Sequence, residues 1–186
     1  MIYIEDNFYN DPDTVRNKLM RLNYNDDAGF NYCEYLHRDH NKELAPAKLN
    51  SAVERLTGRH LFRCTSEVRY NTLNRKNSSN IHSDLDYPGH KKLVCMIYLT
   101  PDAPLNAGVT LYRHRYRALT GHGETDFPNQ ADLRDYSQWD EIAVINNVYN
   151  RCVVFDSSIY HQPVVNGFGS DINDARLFQV LFYECI

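Results

Sequence analysis

The sequence has no hydrophobic run long enough to cross a bilayer. Its longest, Leu93 to Leu99, falls far short of the roughly 20 apolar residues a membrane-spanning helix needs. It has no C-x-x-C pair. Its five cysteines, Cys33, Cys64, Cys95, Cys152 and Cys185, are odd in number and widely spaced, which argues against a disulfide framework. Several lie in apolar runs, where a free thiol behaves as a small hydrophobe. A reducing compartment, and hence a cytoplasmic location, is expected. The opening residues Met1 to Asp6 lack the basic start and apolar stretch of a secretory signal. There is no excess of positive charge: 20 Lys and Arg stand against 24 Asp and Glu, for a net charge of −4. That speaks against general affinity for nucleic acid. Internal repeats and low-complexity tracts are also absent.

What is present fits one globular domain, 1–186, with a sizeable core. Apolar residues make up 42% and charged residues 24% of the 186, ordinary for a soluble protein. The 14 tyrosines favour half-buried strands. Residues 1–60 read as a helical buttress. Tyr3 and Ile4 suggest a short opening strand. Asp11-Pro12 supplies an N-cap and a first-turn proline for an amphipathic helix to about Asn23, carrying Val15, Leu19 and Leu22. Residues 25–45 read as polar and irregular. Pro46 to Thr57 reads as a second helix, with Leu49, Val53 and Leu56 on one face and Gly58 as its stop.

From Leu61 the pattern changes to strands, at Leu61–Tyr70, Asn80–Asp84, Lys92–Thr100 (the most apolar, expected to be central), Gly108–Arg113, Ile142–Ile145, Arg151–Phe155, Tyr160–Val165 and Ala175–Tyr183. A turn is read at Asp86–Gly89, a polar loop at 72–80 and a hairpin loop at Asn166–Asp174. Residues 117–141 form a long polar insertion with Trp139; a loop of such length is usually functional, here a lid. The expected fold is mostly β with N-terminal helices, a double-sheet jelly roll of the cupin-like, double-stranded β-helix type.

His82 and Asp84 are two residues apart. On an extended strand such side chains share a face, so one imidazole and one carboxylate converge. A second imidazole, from His161, would complete a two-histidine, one-carboxylate set. This is the ligand set of non-haem Fe(II) oxygenases, and it leaves three metal positions open. An isolated H-x-D is as readily a pair of surface residues, so its context carries the reading.

That context resembles the 2-oxoglutarate/Fe(II)-dependent oxygenases on their prolyl-hydroxylase-like side, over Glu67 to Glu184. Glu67 to Asn71 resembles the strand before the metal motif, His82-Ser83-Asp84 the motif, and Lys92 to Thr100 the following core strand. Ala107 to Leu111 resembles the Gly-Gly-x-Thr strand, with Ala107 in place of the first glycine. Arg151 to His161 resembles the strand and turn leading to the distal histidine. The resemblance implies Fe(II) on His82, Asp84 and His161, with 2-oxoglutarate and O₂ filling the open positions. It implies that Arg176 grips the far carboxylate of 2-oxoglutarate through a planar fork. Tyr98 is implied at the same carboxylate, Tyr70 near the other end, and Thr110 among the co-substrate contacts. In the family the basic residue follows the distal histidine by around ten positions; here the gap is fifteen, taken up by the 166–174 loop. A retained Asp84 implies hydroxylation or a related oxidation rather than halogenation. The primary substrate is unidentified: a peptide or protein side chain, or a small amino-acid-like molecule. No nucleic acid or membrane partner is expected.

Two other functions fit the same residues. A zinc hydrolase or isomerase on a cupin-like fold could use the same three ligands with a bound water, and a non-catalytic module could keep the fold alone. Arg176 with Tyr98 is the discriminating feature, since a hydrolase has no evident need of it. Taken singly, Arg176 reads equally as an edge-strand arginine, and Tyr70 and Tyr98 as core tyrosines. The basic run Arg113 to Arg117 reads as a solvated strand edge, a nucleic-acid patch or a receiver for an acidic substrate. Of the remaining histidines, His37, His40, His60, His90 and His122 read as surface residues, and His114 as one near the mouth of the site.

Overall fold

The computed structural model describes residues 1–27, 30–35, 46–74, 79–84, 92–115 and 132–185. The turn at Asp86–Gly89, His37, His40, His90, His122, and the part of the insertion up to residue 131 lie outside the described residues.

Ten strands and two α-helices are described: β1 (Ile2–Glu5), α1 (Pro12–Leu19), β2 (Asn25–Asp27), β3 (Phe30–Tyr35), α2 (Pro46–Thr57), β4 (Leu61–Asn71), β5 (Lys92–Tyr98), β6 (Val109–His114), β7 (Trp139–Ile145), β8 (Cys152–Asp156), β9 (Tyr160–Pro163) and β10 (Arg176–Cys185). They form two antiparallel sheets. The larger runs β1-β8-β5-β10-β4-β3-β2 and the smaller β7-β6-β9. The mostly-β, double-sheet expectation is met.

α1 starts as its sequence requires. The Asp11 carboxylate accepts the Thr14 N–H at 3.0 Å, and Pro12 occupies a position whose N–H would have no partner. The helix ends at Leu19 rather than near Asn23. Beyond it the backbone tightens into bonds from Arg21 to Lys18 and from Leu22 to Leu19, and the Tyr24 hydroxyl donates to the freed Leu19 carbonyl at 2.9 Å. α2 has the expected bounds. Gly58 stops it at a φ of 68°, a left-handed conformation that costs glycine little.

Within 25–45, read as irregular, β2 and β3 pair with each other and β3 pairs with β4. The N-terminal region therefore supplies three strands of the large sheet as well as two helices. The central strand is β10, bonded to β4 on one side and β5 on the other; β5 lies one place from the centre. The 166–174 segment is not a hairpin loop. It carries the chain from β9 in the small sheet to β10 in the large one.

β10 alternates between two cores. Leu177, Leu181 and Tyr183 pack with Leu19, Leu49 and Val53 of the helices. Phe178 and Val180 point between the sheets, where they meet Val94 and Met96 of β5 and Val109 and Leu111 of β6. This is the period-2 arrangement of a strand buried on both faces. Within the small sheet, Gly108, just before β6, lies hard against the end of β7. A Cβ there would fall 1.7 Å from the Ile145 carbonyl oxygen, so only glycine fits.

Trp139 is no part of a lid. It opens β7, is 4% exposed and packs on Tyr160 with ring centroids 4.7 Å apart.

Candidate metal centre and its cavity

His82 and Asp84 do not lie on a regular strand. His82 forms a single antiparallel bridge with His161 on β9, through backbone bonds of 3.0 and 2.7 Å. The Asp84 N–H then donates to the Ser157 carbonyl at 2.9 Å. These three bonds tie a non-repetitive segment to the β8–β9 connection, so the side chains converge without a ladder.

The ligand-capable atoms of His82, Asp84 and His161 all lie within 4.8 Å of one another. Asp84 Oδ2 is 3.2 Å from His161 Nε2, and its Oδ1 is 3.9 Å from His82 Nε2. The imidazole rings are 4.4 Å apart. His82 Nδ1 sits 2.8 Å from the Asn80 carbonyl and His161 Nδ1 sits 3.0 Å from the Ile159 carbonyl. A carbonyl only accepts, so both Nδ1 atoms carry hydrogen and Nε2 is the atom each ring has to offer a metal, which would displace the proton that His161 shares with Asp84. Metal-binding histidines are fixed in this way by an outer hydrogen-bond partner. Burial, then the neighbouring His161, lowers the pKa of His82 against the pull of Asp84, which favours the neutral, ligating form. Burial alone would raise Asp84. The hydrogen bond and charge of His161, with His82 and Arg69 adding to them, outweigh it and hold the carboxyl below its usual value. Two neutral nitrogens and one carboxylate suit a divalent cation, and the donor set fits Fe(II).

The triad opens into a cavity of about 80 Å³, lined also by Arg69, Ser79 and Arg176 and by an apolar wall that includes Val94, Met96, Val109 and Phe178. At roughly 10–15 Å³ per water-sized occupant, this volume takes a chain of several non-hydrogen atoms.

Arg176 is 2% exposed. Its Nε donates to the Ala107 carbonyl at 3.0 Å and its Nη2 to that of Gly108 at 3.4 Å. The guanidinium lies over the Phe178 ring, 4.4 Å from the centroid, and 5.7 Å from that of Tyr98. Burial pulls its pKa down, with the Tyr98 phenol opposing, yet an arginine keeps its charge. Among the described residues no carboxylate pairs with it. A buried cation without a counter-charge is costly, and an anionic occupant would remove that cost. Arg176 is therefore not an edge-strand arginine.

The remaining expected site residues separate. The Tyr98 hydroxyl is buried beside the Arg176 guanidinium, whose charge and hydrogen bonding oppose the rise in its pKa that burial causes. Tyr70 faces the helical layer, where it meets Tyr24 edge-on at 4.8 Å. Thr110 sits between Val109 and Leu111, both of which face the inter-sheet core, so alternation turns it away from the cavity. His114 is buried against Trp139 at 4.9 Å rather than at the cavity mouth. Arg113 and Arg115 pair with Asp140 at 3.3 and 3.0 Å, as a solvated strand edge does.

Sequence reasoning missed Arg69. It pairs across the ladder with Phe178 and lines the cavity. Its neighbours Val68 and Tyr70 face the helices, so alternation turns Arg69 inward, but only the structure shows which way the strand faces.

No protein-family model matches the sequence, and no curated protein matches it. Solved structures do. The non-heme alpha-ketoglutarate-dependent carbocyclase SnoK from nogalamycin biosynthesis superposes with a TM-score of 0.68 at 16% identity, over 98% of this chain and 79% of that one. The epimerase SnoN, in complex with Fe3+, alpha-ketoglutarate and nogalamycin RO, gives 0.67 at 15%, over 98% and 78%. A Pseudomonas putida prolyl-4-hydroxylase gives 0.58 at 11%, over 98% and 91%. The chain has the fold of the 2-oxoglutarate/Fe(II) oxygenases. In that fold the cavity found here lies between the two sheets, with the His82–Asp84–His161 cluster and Arg176 both on its wall.

Proposed function

We propose that the chain is a 2-oxoglutarate-dependent oxygenase that hydroxylates a small or side-chain substrate, releasing succinate and CO₂. His82, Asp84 and His161 would hold Fe(II). Arg176 would hold the far carboxylate of 2-oxoglutarate, with the Tyr98 hydroxyl as a second donor. The observation that carries this reading is the buried guanidinium on the wall of the same cavity as the triad. A zinc hydrolase would need the three ligands but not that cation.

Iron bound there supplies the activation of O₂ that couples decarboxylation of 2-oxoglutarate to oxidation of the substrate. The chain's own residues do the rest. The Asn80 and Ile159 carbonyls keep both imidazoles in the ligating tautomer. The Ala107 and Gly108 carbonyls fix the plane of the Arg176 fork, and its charge-assisted pairing with a carboxylate is worth roughly 1.5–3 kcal/mol. Val94, Met96, Val109 and Phe178 exclude water from the cavity.

Two of the superposed structures are a carbocyclase and an epimerase, and they support a second outcome, an oxidation without oxygen insertion. Anaerobic loading with Fe(II) and 2-oxoglutarate, then air and a panel of candidate substrates, tests both. Succinate release with a product heavier by one oxygen supports hydroxylation, and a product lighter by two hydrogens supports the other outcome. Absence of Fe(II)-dependent succinate would overturn the proposal. The free thiols of Cys64, Cys95, Cys152 and Cys185 support a reducing, cytoplasmic setting. The pairing of β1 with β8, which joins distant parts of the chain, supports its acting as one domain.

A further inference from the structure

We propose that Gln162 is a positioning residue of the metal centre: through the Ser79 carbonyl it fixes the short segment that holds the His82 imidazole in its ligating tautomer. The inference rests on the metal centre of the oxygenase reading and not on its co-substrate.

The two histidines are held by different means. His161 lies on β9, paired in register with β6. The Ile159 carbonyl that receives its Nδ1–H belongs to the β8–β9 turn, which is closed by a bond of 2.9 Å from the Ile159 N–H to the Asp156 carbonyl. Its orientation is therefore set by a turn and a ladder. His82 has a single bridge to β9, and the Asn80 carbonyl that receives its Nδ1–H lies outside the strands. Backbone outside a ladder opens at low cost, and the ring it orients would turn with it. Two anchors flank Asn80 and prevent this. On one side Ile81 is fully buried with Tyr112, Trp139 and Tyr160. On the other, Gln162 Nε2 donates to the Ser79 carbonyl at 2.6 Å.

Gln162 follows His161 on β9, and alternation sends the two side chains to opposite faces of the strand. His161 turns to the cavity. Gln162 turns away from it, where the Tyr136 hydroxyl donates to its Oε1 at 3.0 Å. A carbonyl only accepts, so Ser79 selects the nitrogen end of the amide, and Tyr136 satisfies the oxygen end. Tyr136 stands on the short 3-10 helix Tyr136–Gln138, near the close of the 117–141 insertion. Ser79 Oγ also lies 3.2 Å from His82 Nδ1, so the residue gripped by Gln162 reaches the imidazole through its side chain as well as its backbone. One amide thus supports His82 from behind the site, on the strand that carries the other histidine.

The test needs no turnover. In the metal-free full chain carrying isotope-labelled histidine, nitrogen NMR shifts show which ring nitrogen of His82 and of His161 bears hydrogen. His82→Asn and His161→Asn identify the signals. In the wild type His82 is expected in the Nδ1–H form alone. In Gln162→Ala that form should mix with the Nε2–H form, which can turn to Asp84 Oδ1, 3.9 Å away, while the His161 signals stay unchanged. Mn(II) binding to Gln162→Ala, measured by calorimetry, should weaken about tenfold, the low end of what losing an outer partner costs. Should Gln162→Ala fail to fold, Gln162→Met, which keeps the volume and lacks the donor, decides. A merely structural role would lower resistance to denaturant yet leave the His82 signals and the Mn(II) affinity of the folded protein unchanged, and that result would overturn the proposal. So would signals that shift alike at both histidines, or a wild type in which His82 is not held in one tautomer. A wild type that binds no Mn(II) fails the metal-centre reading instead. The imidazole signals of the metal-free protein then decide the role of Gln162 by themselves.

Discussion

On one face of β10, Leu177, Leu181 and Tyr183 close against two helices in a core built almost wholly of apolar side chains. On the other face of the same strand, Arg176 lies buried one inward step from Phe178 and two from Val180, beside a cavity lined by charged and metal-ligating groups. The two faces belong to the same backbone. Polar groups do not separate the faces, since Tyr183 on the helical side and Tyr98 on the inner side both bury hydroxyls. Charge does: of the two faces of β10, only the inner one buries a charged side chain, Arg176. A buried cation with no carboxylate beside it among the described residues marks the face that gives up stability for binding.

Substitutions that treat the faces differently sharpen this contrast. The largest effect is expected at the triad. His161→Ala should abolish metal binding, measured by metal analysis, and lower succinate formation beyond the roughly 10–100-fold typical of losing an outer partner. Next comes a paired experiment on β10. Leu177→Ala should cost about 2–5 kcal/mol in denaturant unfolding and leave 2-oxoglutarate affinity alone. Arg176→Met should leave stability unchanged or raise it by about 1–4 kcal/mol, since a lone buried charge is removed. It should weaken 2-oxoglutarate by roughly 10–150-fold. If Arg176→Met unfolds as easily as Leu177→Ala, the two faces do not differ in kind.

Tyr98→Phe should weaken 2-oxoglutarate, whereas Tyr70→Phe on the helical side should change its affinity by no more than about twofold. The smallest effect is at Cys64, which packs against the helical core. Burial pushes its pKa up to about 12, against a hydrogen bond from Tyr183. Only about one thiol in 10,000 is ionised at pH 8, so iodoacetamide should leave Cys64 unmodified in the folded protein and label it on unfolding.

The contrast also explains which features could be read from the sequence. α2 is legible to the residue because Pro46 and Gly58 punctuate it and Leu49 and Val53 recur at helical spacing. β8 and β10 are legible because a strand buried on both faces is a continuous apolar run. Continuity hides direction, however. Nothing local says which alternate residues face the helices, and a shift of one residue exchanges the faces. The resemblance implies Tyr70 near the co-substrate, but in this chain Tyr70 faces the helices and its neighbour Arg69 lines the cavity. β2 is three polar residues held by pairing to β3, and β3 interleaves aromatic and polar residues, a strand pattern that the polar stretch around it hides. His82 and Asp84 were correctly paired for an incomplete reason: long-range bonds to His161 and Ser157, not an extended ladder, bring them together. The same dependence on distant partners hid the burial of Trp139, whose neighbours Tyr112 and Tyr160 lie on other strands.

The central claim is that the cavity between the two sheets holds a metal and a dicarboxylic acid together. Calorimetric titration of 2-oxoglutarate into Mn(II)-loaded, metal-free and Asp84→Ala protein measures this without turnover. The account predicts one site per chain in the Mn(II)-loaded protein, and much weaker binding, or none, in the other two. No binding to the Mn(II)-loaded protein, or equal binding to all three, would contradict it.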